Sequence, residues 1–99
     1  MAYQVRFTKA ARQDLKRLYY FLLKQDKQAA AKALQTIHQA IDLLKTFAFT
    51  CRKAQIDNPF LRELVISFGV NGYVALFDIE EDNIVTNLAV RNQREDDYL

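Results

Sequence analysis

The chain has 99 residues, which allows one domain with one core. Hydrophobic residues make up 51% of it and Gly plus Pro number only three, a composition that excludes a largely disordered chain. The net charge of +2 hides a split: residues 1–56 hold eleven Lys or Arg against three Asp or Glu (+8), and residues 57–99 hold three against nine (−6). Such a basic half suits phosphates or an acidic partner, although helices also carry lysines that are merely solvated. The lone Cys51 excludes an internal disulfide, and no apolar run approaches the roughly 20 residues of a membrane span. With no apolar signal region at its start, the chain reads as a soluble, cytoplasmic protein.

Residues 3–7 (Tyr-Gln-Val-Arg-Phe) alternate apolar and polar, which predicts a half-buried strand. Thr8 offers a hydroxyl to the free amides of a helix start. From Lys9 to Gln25 the apolar set Ala11, Leu15, Leu18, Tyr19 and Leu22 makes one helical face. Residues 26–28 form a short turn, with Asp26 as the cap of a second helix. There Ala30, Leu34, Ile37, Ile41 and Leu44 recur at four, three, four and three, the narrow seam of two packed antiparallel helices.

Residues 46–59 have mixed polarity and contain the only proline, so they read as a loop. Three strands follow. Residues 60–68 place Leu64, Ile66 and Phe68 on one face, residues 73–79 form the second strand, and residues 84–90 the third. In the third, Ile84, Thr86, Leu88 and Val90 share one face against Val85, Asn87 and Ala89. Residues 69–72 make the first turn, where Asn71-Gly72 supplies the positive φ of a tight hairpin, and residues 80–83 the second. Residues 91–99 are a charged tail.

This order predicts an α+β fold over a single domain, residues 1–99. An N-terminal strand and an antiparallel helical hairpin pack on a small twisted antiparallel sheet of three or four strands. Ile37, Ile41, Leu64, Ile66 and Phe77 are expected in its core. The hairpin covers one face of the sheet and leaves the other open for function.

Most chemistries are excluded. One Cys and one His (His38, mid-helix near the seam) cannot make a zinc site, and no Gly-rich phosphate loop is present. The acids at 80–82 read as a solvated turn. No metal, cofactor or small-molecule ligand is expected. The remaining constellation is basic and aromatic: Arg62, Arg91, Arg94 and Tyr98. The arginines can hold phosphate or carboxylate bidentately, and the tyrosine can stack on a base or move a proton. The other reading is purely structural, with Arg62 paired to Glu63 or a tail acid and Arg94 to Asp96 or Asp97.

The pattern resembles the RelE/ParE toxin superfamily over nearly the whole chain. The residues that carry the resemblance are Val5 to Asp14 with Leu15, Leu18 and Tyr19, then Ala-Ala-Ala-Lys-Ala-Leu at 29–34. Further on they are Leu61-Arg62-Glu63-Leu64-Val65, Gly72-Tyr73-Val74-Ala75-Leu76-Phe77 and Leu88-Ala89-Val90-Arg91-Asn92-Gln93-Arg94-Glu95.

The resemblance implies the fold just read and a cognate antitoxin whose C-terminal segment wraps the toxin. It also implies one of two targets. RelE-like members cut messenger RNA in the ribosome, and ParE-like members poison DNA gyrase. The nucleases carry lysines where this chain has Arg62 and Leu64, and an arginine directly after a Gly-Tyr pair, where this chain has Val74. Another of their arginines matches Arg91 or Asn92, and Tyr98 matches their C-terminal tyrosine. Many superfamily members have a histidine where Asn92 stands. The catalytic set is therefore incomplete, which favours a ParE-like gyrase poison. The ribosome-dependent endoribonuclease is the alternative, and a non-toxic nucleic-acid or protein-binding module the second alternative.

Overall fold

The computed structural model describes residues 2–69 and 71–93. Strand β1 (Gln4–Phe7) leads into helix α1 (Lys9–Leu23), helix α2 (Lys27–Asp42) and the short helix α3 (Leu44–Phe47). A 3₁₀ turn at Ala48–Thr50 precedes strands β2 (Arg52–Gln55), β3 (Asn58–Phe68), β4 (Asn71–Glu80) and β5 (Ile84–Asn92).

Both helices start where local chemistry asks them to. The Thr8 hydroxyl accepts from the Ala11 amide, and the Asp26 carboxylate accepts from the Gln28 and Ala29 amides. Each side chain satisfies donors that the first turn leaves unpaired. The hairpin packs on one sheet face. Leu15, Leu18, Ala33, Ile37, Ile41 and Leu44 from the helices meet Ile66, Tyr73, Ala75, Phe77, Ile79, Val85 and Val90 from the sheet. Of the expected core residues, Ile37, Ile41, Ile66 and Phe77 are buried. Leu64 packs against this cluster but is only half-buried. It lies on β3 just past the last residue that β2 flanks, Glu63.

Among the described residues the sheet has five strands in the order β1-β5-β4-β3-β2, where three or four were expected. Two features account for the difference. Residues 52–55, read as loop, form an exposed edge strand antiparallel to β3. Its sequence, Arg-Lys-Ala-Gln, has no apolar alternation to reveal it. In addition, β1 joins the sheet beside β5 and parallel to it, with Val5 opposite Val85.

The β3–β4 connection also differs in detail. Gly69 carries the positive φ (62°). Gly72 lies within β4, where a Cβ would stand 2.2 Å from the Ile66 carbonyl oxygen. Glycine is needed there for close backbone approach rather than for turn geometry.

Strand β5 contains a bulge. Leu76 pairs with Ala89 and Phe77 with Asn87, so Leu88 is an extra residue. The bulge reverses the in–out alternation beyond it, which puts Val90 on the helix side with Val85 and Asn87. The expected grouping of Ile84, Thr86, Leu88 and Val90 on one face therefore fails at Leu88.

Beyond Phe7 the chain has left the sheet, and α1 takes over the exposed backbone of β5. Thr8 Oγ1 donates to the Leu88 carbonyl, and the Asp14 carboxylate accepts from the Val90 amide at 3.0 Å. Asp14→Ala is expected to cost about 1–3 kcal/mol by leaving that amide unpaired. Asp14→Asn, which keeps an acceptor, should retain most of it. Urea unfolding of the two variants checks this, and equal losses would count against the assignment.

Candidate functional site

The sheet face away from the helices is the surface on which to look for function. By strand alternation it carries Glu63, Val65, Val74, Leu76, Thr86, Ala89 and Arg91. Its centre is aliphatic: Val65 is exposed, Val74 buried and Leu76 half-buried. Ion pairs flank this centre. On one side the Arg52 guanidinium meets the Glu63 carboxylate at 3.0 Å. On the other, Arg6 reaches Glu80 at 3.4 Å and donates to the Thr86 hydroxyl at 3.1 Å. The Thr86 hydroxyl in turn donates to Glu80. That hydrogen bond, helped by Arg6, holds the Glu80 carboxyl below its ordinary pKa.

Arg62 is not on this face. It stands opposite Phe77, so it shares the helix-covered side with Leu64 and Ile66. Its Nε donates to the Pro59 carbonyl at 2.6 Å. Nη1 donates to the carbonyls of Phe49 at 3.2 Å and Cys51 at 2.8 Å. The guanidinium carbon lies 5.3 Å from the centre of the Phe49 ring, a cation–π distance. Arg62 thus clamps the segment before β2 onto β3. It does not pair with Glu63, whose carboxylate takes Arg52 instead. Burial pushes the neighbouring Cys51 thiol up from its ordinary pKa, with the Arg62 charge only partly offsetting it.

Arg91 pairs across the sheet with Val74 on the open face, and its Nη1 donates to the Asn92 carbonyl at 3.3 Å. Arg62 and Arg91 therefore project from opposite sides of the sheet. Along the strands their rows are also three residues apart, roughly 10 Å. The fold therefore does not bring Arg62 and Arg91 together. Arg94 and Tyr98 lie outside the described residues. The part of this face that spacing alone did not reveal is its aliphatic centre. Counting outward from Leu64, Ile66 and Phe68 would have found it, because Val65 has the opposite parity.

The outer surface of the hairpin is basic, with Lys9, Arg12, Lys16, Lys24, Lys27 and Lys32 all exposed. Among the described residues no group of His, Cys, Asp or Glu is arranged to hold a metal, and no helix is long and apolar enough to cross a membrane.

Among the described residues a helical hairpin covers one face of a five-stranded sheet and no helix covers the other, the architecture of the RelE/ParE class of small α+β proteins. The chain belongs to the ParE toxin family of type II toxin–antitoxin systems (parDE), whose sequence pattern it matches over residues 5–97. It is similar in structure to a chain of the chromosomal ParDE TA system from P. aeruginosa, with a TM-score of 0.73 and 20% identity, over 90% of this chain and 94% of that one. An E. coli RelE toxin mutant in the free state aligns with a TM-score of 0.47 and 13% identity, over 91% of this chain and 82% of that one. No curated protein sequence matches significantly.

Proposed function

We propose that this toxin arrests growth by binding and inhibiting DNA gyrase, and that a cognate antitoxin neutralises it. The observation that carries the gyrase reading is the aliphatic centre of the sheet face away from the helices. A nuclease of this fold needs a base, an acid and charge stabilisation converging on one phosphate. Val65, Val74 and Leu76 supply none of these, and Arg62 is turned to the other side, committed to backbone carbonyls. An apolar centre rimmed by ion pairs suits a protein surface instead.

The antitoxin reading rests on charge and on an unflanked edge. The basic outer surface of α1 and α2 attracts an acidic tail, and among the described residues no strand lies beside β3 beyond Glu63 on the β2 side.

Purified toxin is expected to inhibit gyrase supercoiling and to leave ribosome-bound mRNA intact. Induced expression should switch on the DNA-damage response before translation falls. If mRNA fragments appear, and vanish in Arg91→Ala or Tyr98→Phe, the nuclease reading replaces this one. Absence of growth arrest would leave only the binding-module reading.

A further inference from the structure

A cleft of about 550 Å³ opens at the end of the sheet where β1 begins and β4 turns into β5. Tyr3, Phe49, Phe60 and Ile79 provide its apolar lining. The three rings form a continuous edge-to-face series, with centroids 6.3 Å apart for Tyr3–Phe49 and 6.2 Å for Phe49–Phe60. Phe49 and Phe60 nonetheless remain 45% and 52% exposed. Internal packing explains the side of Phe49 that Arg62 covers, but not the exposed parts of these rings. Clefts of this volume lie in the range that takes a small ligand or a few residues of a peptide.

The rest of the lining is polar and mostly acidic: Asp78, Glu80, Glu81 and Asp82, with Asn58 and Asn83. Glu80 is taken by Arg6 and Thr86, whereas Asp78, Glu81 and Asp82 make no ion pair among the described residues. The turn that presents them holds Asp82 at φ 61° and Asn83 at φ 59°, conformations that non-glycine residues adopt at a cost. The charge of these acids is opposite in sign to that of the helical surface, so an acidic tail drawn to the helices is repelled here.

We propose that this cleft docks a basic peptide segment of a partner protein. The segment places one aromatic or large aliphatic side chain among Tyr3, Phe49 and Phe60, and sets flanking Lys or Arg side chains against Glu81 and Asp82. The apolar anchor supplies contact area and the flanking charges supply selectivity and on-rate. The inference is independent of whether gyrase or the ribosome is the toxin's target.

The probe is a fluorescent peptide, acetyl-Gly-Arg-Lys-Phe-Arg-Lys-Gly-amide, titrated into the full-length chain and followed by polarisation and by amide NMR spectra. Saturable binding is expected, weakening with salt. Shift changes should concentrate at residues 49, 60 and 78–83. Replacing the peptide's Phe by Ala should weaken binding about tenfold, as should the double change Glu81→Lys with Asp82→Lys. Phe60→Ser is a second variant, at a half-exposed ring, should the charge reversal disturb the turn. Any of four outcomes overturns the proposal. These are no saturation at millimolar peptide, shifts centred on the helices or the open sheet face, equal binding of a peptide with Glu in place of every Lys and Arg, or sedimentation showing that the cleft is filled by a second copy of the chain and released by the charge reversal.

Discussion

Phe77→Ala is expected to lower the free energy of unfolding by about 3–5 kcal/mol, the largest effect of any single truncation in this chain. The ring is fully buried in the middle of the sheet's helix-facing side. Its strand neighbours are Arg62 on β3 and Asn87 on β5, and neither can move inward to fill the space. Asn87 is fully buried with its Nδ2 donating to the Arg6 carbonyl, and Arg62 is anchored by three carbonyls. Collapse around the cavity is therefore limited, which places the cost toward the upper end. Domains of this size have total stabilities of about 5–15 kcal/mol, so the loss removes a substantial share of the total. Urea denaturation followed by circular dichroism measures this directly. Phe77→Leu, which leaves a smaller void, should lose less than half as much. A loss under about 1 kcal/mol for the alanine variant would contradict the core described above.

Arg62→Ala is expected to destabilise the chain by about 2–3 kcal/mol, and to reduce toxicity only in proportion to the folded protein lost. Removing the guanidinium leaves the carbonyls of Phe49, Cys51 and Pro59 without their donor and frees the Phe49 ring. Arg62→Lys should recover only part of the stability. An ammonium on a flexible stem cannot hold three diverging carbonyls and stack on a ring as a planar guanidinium does. The functional arm is the sharper one. A structural arginine gives variants whose toxicity follows their abundance and thermal stability. A catalytic arginine gives a folded, abundant and inactive Arg62→Lys. Growth curves normalised to soluble toxin, with melting temperatures for each variant, separate the two.

The helical half was legible because its determinants are local. Thr8 and Asp26 cap the helices to which they are adjacent, and the Ala30–Leu44 seam needs only the 3.6-residue period to be recognised. The strands of the second half were legible wherever one face is buried and the other wet, as for Leu64, Ile66 and Phe68. β2 was missed for the converse reason: an exposed edge strand buries neither face fully, so its sequence carries no alternation. Arg62 illustrates a subtler failure. Its parity with Leu64 already directs it to the helix side, yet its charge argues for the open one. Carbonyls from three separate positions decide the matter, and two of them, at Phe49 and Cys51, belong to a segment whose path cannot be read from local spacing.

The sequence by itself determined the α+β class, the order and approximate limits of the major elements, most of the core, and membership of the toxin superfamily. The first three follow from periodicity and capping within short windows, and the last from the family resemblance that the quoted motifs carry in their order. The tertiary structure alone decided the parallel placement of β1 beside β5, the side from which Arg91 projects, and the cleft among Tyr3, Phe49 and Phe60. The first is a pairing between residues about eighty positions apart, for which no local signal exists. The second depends on one extra residue, Leu88, which reverses the alternation of every residue after it. The third brings together three rings from three segments, and the exposed surface they share comes into being only when the chain has closed around its core.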